Sequence, residues 1–180
     1  MLSENIIILP SEKYLLKLSK PIRDASMATY LRIRSSELKP MEKKVILAAD
    51  EVYTAKKCEF SNCKLYGVTE SGEIGKTIIC FMISSIAGSY RDVVSMSVIS
   101  KLTTTILEEK CKSICSLLRE VGFVVLAVCM DNLATNRKFY VNLCGGILST
   151  SFNNSDCDNE CSLIIDPTHN FKHLYNNFQR

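Results

Sequence analysis

Two aspartates stand where the sequence can most easily build chemistry. Asp50 directly follows the apolar run Val45-Ile46-Leu47-Ala48-Ala49, and Asp131 directly follows the apolar stretch from Phe123 to Met130. A short continuous apolar run is the pattern of a strand buried on both faces. Pairing two such strands in parallel puts their terminal carboxylates side by side at one end of a sheet, where ligands of open α/β sheets bind. Neighbouring carboxylates repel unless a divalent cation neutralises them. All-oxygen ligands of this kind suit Mg²⁺ or Mn²⁺, and in two-metal sites such ions activate the attacking oxygen and stabilise the leaving oxygen of a phosphodiester. The plainer alternative is two ordinary strand-end acids facing water, and pattern alone leaves both open.

Other polar residues sit close to these two in sequence. Glu51 points to the face opposite Asp50 if the strand continues, and reads as a supporting or structural acid. Asp166 ends a third short apolar run, Ser162 to Ile165, and with Pro167 after it reads first as a helix cap and second as an outer ligand. Asn132, Asn136, Arg137 and Lys138 open the helix after Asp131, where they either meet a phosphate or form a solvated helix start. His169 and His173 share one helical spacing, and Cys157 and Cys161 share the same spacing upstream. A tetrahedral Zn²⁺ site from these four is a weaker reading, because the usual close cysteine pair is separated by two residues.

The elements that would position these residues follow from periodicity and punctuation. A short helix is predicted from Ser11 to about Lys20, stopped by Pro21, and a second from Asp24 to Leu38, closed by Pro40. After the Val45 strand comes a hairpin turning at Ser61-Asn62 with Lys64 to Thr69 returning, then a Ser71-Gly72-Glu73 turn. Thr77 to Ile86 and Asp92 to Ile99 read as an antiparallel pair. Thr103 to Val121 is an amphipathic helix ended by Gly122 in a left-handed cap, and Ala134 to Leu143 is a helix ended by Gly145-Gly146. Ser149 to Glu160 is read as a loop, and a last helix follows Pro167.

Composition sets the broad class. With 180 residues and 47% hydrophobic residues, the chain can bury one domain-sized core. A net charge of +3 permits DNA as a partner without arguing for it. Arg32 and Arg34, in the more basic stretch before Lys44, read as a solvated helix face before a phosphate contact. Nine cysteines at irregular spacings, several inside apolar runs, point to free thiols and a reducing compartment, the cytosol or nucleus. No signal peptide is visible, and the stretch from Val121 to Met130 is about half a membrane span, so no membrane is expected.

A strand ending in a carboxylate, an antiparallel pair, a crossover helix, a second strand ending in a carboxylate, a helix and a third strand is the order of an RNase H-like fold. The expected class is therefore α/β: an RNase H-like mixed sheet flanked by helices over residues 44–180, preceded by a short helical lead-in over 1–43. Four segments, in order, carry a more specific likeness: Asp50 to Phe60, Phe81 to Gly88, Asp131 to Arg137 leading into Leu143-Cys144-Gly145-Gly146, and Asp166 to Lys172. They resemble the nuclease core of P element and THAP-domain DNA transposases, and the lead-in before Pro40 looks like the region ahead of that core.

The resemblance implies that Asp50 and Asp131 are catalytic metal ligands, the first two members of an Asp-Asp-Glu triad holding Mg²⁺ or Mn²⁺. It also implies DNA as the partner, transposon ends and target alike, a nuclear location, and room for an oligomer of the full-length protein. In the family the third acid is a Glu on a later helix, beyond an inserted domain that follows the strand matching Asp166. By that pattern it is expected past Arg180, and the sequence from Met1 is expected to lack a THAP module; the GTP that some members bind in the insertion is not carried over. The chain is thus expected to be a fragment or a decayed or domesticated derivative, with little strand cleavage of its own. Its rivals are an inactive RNase H-fold interaction or DNA-binding module and a zinc-stabilised binding module.

Overall fold

The computed structural model describes residues 24–61, 63–154 and 159–179. The helix expected from Ser11 lies outside them. In chain order the elements are α1 (Asp24–Glu37), β1 (Lys44–Tyr53), β2 (Glu59–Ser61), β3 (Lys64–Tyr66), β4 (Thr77–Ser85), β5 (Arg91–Ile99), α2 (Thr104–Glu120), β6 (Val124–Met130), α3 (Ala134–Leu143), β7 (Ser151–Asn154), β8 (Asn159–Ile165) and α4 (Pro167–Phe178). Six strands form one sheet in the order β5-β4-β1-β6-β8-β7, and β2 and β3 form a separate ribbon. β1, β6 and β8 run parallel, while β4, β5 and β7 are each antiparallel to their inner neighbour. A mixed sheet with helices is the RNase H-like α/β arrangement expected from the element order.

Alternation along the strands shows which face carries the core. Val45, Leu47 and Ala49 on β1 and Ile79, Phe81 and Ile83 on β4 are buried, whereas Ile46, Ala48, Ile78, Cys80 and Met82 between them are only half-buried. Successive strand residues point to opposite faces, so one face of the sheet is sealed and the other only partly covered. The seal comes chiefly from α2, whose Leu107, Cys111, Ile114, Cys115 and Leu118 recur at helical spacing and are all buried. Thr103 caps that helix, its Oγ1 accepting from the Ile106 amide at 3.3 Å. At the other end Gly122 adopts φ of 90°. There the Phe123 amide donates to Leu118 O and the Gly122 amide to Arg119 O, the paired bonds of a Schellman cap. α3 ends in the same way on Gly145, whose φ is 75°.

α1 joins this core through Met27 and Leu31, one turn apart and both buried. Its neighbouring side docks on β5. The Tyr30 hydroxyl donates to Asp92 at 2.8 Å, and the Arg34 guanidinium lies 4.9 Å over the Tyr90 ring with Nε 3.6 Å from Asp92. Arg34 is therefore a docking residue and not part of a solvated face, a correction to its sequence reading; Arg32 is exposed and pairs with Glu120.

Two further expectations are corrected. The polar stretch from Ser149 is not all loop, because Ser151–Asn154 pairs antiparallel with β8, which itself starts at Asn159. Edge strands need only backbone pairing on one side, and the apolar pattern that flags a buried strand is not required of them. The hairpin's returning strand is also shorter than Lys64 to Thr69: it stops at Tyr66, and Val68 instead bridges Ile74. The described cysteines are free, and no helix among the described residues is long and apolar enough to cross a membrane.

Candidate metal centre

Register places the two aspartates. β1 and β6 pair in parallel up to Ala48 opposite Cys129, and the same register carried two residues on sets Asp50 opposite Asp131. Adjacent strands lie about 4.8 Å apart, so the two residues are neighbours. β6 and β8 pair up to Met130 opposite Ile165, and the Asp166 amide donates to Met130 O at 2.8 Å, which sets Asp166 beside Asp131. Three aspartates thus lie side by side: Asp131 and Asp166 directly follow β6 and β8, while Asp50 lies within β1, two residues past its last pair with β6 and three before the strand ends at Tyr53, a correction to its reading as a strand-end acid.

Each is held differently. Asp50 is exposed, and its Oδ1 accepts from the Glu51 amide at 2.8 Å. Asp131 is half-buried; its Oδ1 accepts from the Leu133 amide at 3.2 Å and from Asn136 Nδ2 at 2.5 Å. Asp166 caps α4, its Oδ1 accepting from the Thr168 amide at 2.9 Å, while its Oδ2 lies 2.7 Å from His169 Nδ1. The cap reading of Asp166 is the one the geometry supports. The His169 hydrogen bond holds the Asp166 carboxyl below the usual range, and the same bond raises the imidazole, with Asp50 and Asp131 adding to the rise. His169 therefore stands in the field of both acids.

Glu51 and Asn136 come to this place as well. The strand does continue past Asp50, so Glu51 falls on the same face as Ala49, opposite to Asp50. It lines a crevice of about 10 Å³ with Asp50, Asp131 and Asn136, walled by Ala49, Ile79, Leu102, Leu107 and Met130. Burial pushes the Glu51 carboxyl up, and Asp131 and then Asp50 push it further. Asn136 is buried, at 6% exposure, and with its amide given to Asp131 its Oδ1 has no hydrogen-bond partner. Sequence reasoning placed Asn136 in a polar first turn and missed this role. Its position five residues after Asp131, one turn into the helix, is the only trace of it in the sequence.

The strands beneath the site are pinned to each other by Tyr140. Its hydroxyl, buried under the sheet, donates to Val128 O at 3.2 Å and to Ile164 O at 2.8 Å, tying β6 to β8. Asn132 accepts from Arg137 at 3.5 Å and donates to Asn170 at 3.3 Å, linking α3 to α4. Arg137, Lys138 and Lys172 are exposed.

The donor set suits a hard divalent cation. Every candidate ligand is an oxygen, and the buried, orphaned Oδ1 of Asn136 beside carboxylates is an acceptor that a cation would satisfy. Among the described residues no three His, Cys, Asp or Glu side chains already converge on one point. Zinc fits poorly. Cys161 is buried near the start of β8 and His169 lies beyond its end, so five residues of strand, about 16 Å, separate Cys161 from Asp166. One ion cannot bridge that span. Cys157 and the His173 side chain lie outside the described residues.

No curated protein sequence matches the chain. A solved structure described as the Drosophila P element transposase strand transfer complex matches with a TM-score of 0.67 at 18% identity, over 94% of this chain and 37% of that one. The likeness is one of fold, and the chain spans well under half of that transposase's length. A family model, the TNP-like RNase H N-terminal domain, matches residues 21–144. That match takes in α1, the strands that carry Asp50 and lead to Asp131, and the helix that holds Asp131, and the chain belongs to the TNP-like RNase H N-terminal domain family.

Proposed function

We propose that this chain is the metal-binding part of a transposase core that cleaves DNA phosphodiesters and joins the ends to a target, acting in the nucleus, in a longer and oligomeric protein. The observation that carries the reading is the parallel register of the two central strands, which sets Asp50 opposite Asp131 just past the end of their shared ladder. Asp50 and Asp131 hold Mg²⁺ or Mn²⁺, which supplies charge neutralisation at the phosphate and lowers the pKa of the attacking hydroxyl. Asn136 fixes one Asp131 oxygen so that the carboxylate keeps a single orientation when the ion and substrate arrive. Arg137 and Lys138, exposed on the first turns of α3, meet neighbouring phosphates of the DNA and position it. His169, its imidazole raised by the hydrogen bond to Asp166, stands on the α4 side of the site.

Support for DNA as the partner comes from the transposase strand transfer complex that shares the fold. Calorimetric titration with Mn²⁺ tests the reading in the wild type and in Asp50→Asn and Asp131→Asn. Binding by the wild type that each substitution removes is the expected result. A wild type that takes up no Mn²⁺ favours the rival, an RNase H-fold DNA-binding or interaction module without catalysis.

A further inference from the structure

Asp50, Glu51, Asp131 and Asn136 all line one crevice at the head of β1, walled by apolar side chains. That crevice, at about 10 Å³, has room for one water or one ion. Its apolar walls leave few polar atoms to satisfy an occupant: carboxylates and the Asn136 carbonyl oxygen. The Asn136 oxygen is buried and without a partner, an arrangement that costs free energy in any folded chain unless something fills the gap. A water there would give its two hydrogens to acceptors and leave the repulsion between Glu51 and Asp131 in place. A divalent cation satisfies the oxygen and removes the repulsion together.

We infer that Glu51 and the Asn136 carbonyl oxygen are cation ligands, which with Asp131 hold a divalent ion in the crevice on the helix-covered side of β1. This inference rests on the metal-binding reading of Asp50 and Asp131 and extends it to two residues outside that pair. Asn136 then has two tasks, donating through Nδ2 to orient Asp131 and accepting through Oδ1 at the ion. Glu51 supplies a further negative charge to the crevice that Asp50 and Asp131 already line.

The test uses the full chain. Mn²⁺ affinity is measured by calorimetry in the wild type, Glu51→Gln, Asp50→Asn and Asp131→Asn, and thermal unfolding is followed with EDTA and with Mn²⁺. Glu51→Gln is expected to weaken Mn²⁺ binding at least tenfold and to lose most of the Mn²⁺-induced rise in Tm. In EDTA the same variant should melt no lower than the wild type, since it removes a repelled charge; a merely structural role would lower that Tm. Wild-type Mn²⁺ affinity in Glu51→Gln overturns the inference alone if the two aspartate variants still lose binding. No binding by the wild type overturns it together with the reading beneath it. A measurement that needs no variant stands beside these: on Mg²⁺ addition the carboxyl carbon resonance of Glu51 should move along the same isotherm as that of Asp131, and a stationary Glu51 resonance refutes the assignment.

Discussion

Asn136→Asp exchanges a hydrogen-bond donor for a second carboxylate at the same place. Asn136 Nδ2 lies 2.5 Å from Asp131 Oδ1, so the new charge centre would stand roughly 4 Å from the old one, worth about 4 kcal/mol of repulsion at an effective dielectric of about 20. The pair can escape by keeping one proton, but holding a carboxyl of ordinary pKa near 4 protonated at pH 7 also costs about 4 kcal/mol. Both routes give the same magnitude, so the metal-free variant should lose about 4 kcal/mol at pH 7. The sign with pH follows from linkage. A carboxyl raised in the folded state binds more protons folded than unfolded, so the penalty is absent below about pH 4 and grows as pH rises toward the raised value. At pH 5 it should have fallen to about 1.5 kcal/mol. Urea unfolding in EDTA at pH 7 and pH 5 measures the loss. Mn²⁺ at a hundred times its Kd should return about 2.7 kcal/mol. A variant as stable as the wild type at pH 7, or a loss unchanged at pH 5, would show that Asn136 does not face Asp131 and refute the reasoning.

Further outcomes follow from the same geometry. Tyr140→Phe removes the hydroxyl that ties β6 to β8 and should cost about 1–2 kcal/mol by denaturant unfolding; the wild type should show no tyrosinate signal from this ring near pH 10, since burial pushes the phenol up. The imidazole of His169 should titrate above 6.5 by NMR in the metal-free wild type and move back down in Asp166→Asn, with any stability it adds present below about pH 6.5 and lost as pH rises through the folded value. Gly122→Ala should lower stability by about 1 kcal/mol, because φ is 90° there and the added methyl would lie 3.2 Å from Ser35 Oγ. An unaltered urea midpoint for that variant would contradict the left-handed cap.

What the sequence made legible was set by which residues repeat a pattern. β1 and β6 announce themselves because each carries an unbroken apolar run, one face buried and the other half-buried; the aspartate after the run marks the end of β6, whereas β1 continues through Asp50 to Tyr53. α2 and α3 are bounded by a Thr cap or paired glycines whose backbone geometry is local, and they are found within a residue or so. β7 was hidden because Ser151-Phe152-Asn153-Asn154 is a short edge strand with a single apolar side chain, Phe152, too few to show an apolar pattern. The docking of Arg34 on Tyr90 and Asp92 joins residues far apart in the chain, and nothing in the local string distinguishes it from a solvated helix face. At the site, Asp50 and Asp131 were visible as acids that follow apolar runs, although β1 continues past Asp50, whereas Glu51 and Asn136 become neighbours only in the folded chain.

The position of β1 and β6 within the sheet has a mechanical consequence. Each is hydrogen-bonded along both flanks, β1 to β4 and β6, and β6 to β1 and β8, while the exposed margins fall to β5 and β7. β4 and β8 are likewise paired on both sides, so backbone amides in these four inner strands should exchange more slowly with solvent than those of the edge strands β5 and β7. Acids mounted on mobile loops relieve crowding by drifting apart, but acids carried by strands paired on both sides cannot. Their mutual repulsion persists until something of opposite charge arrives, and the spacing that receives it is set before it does.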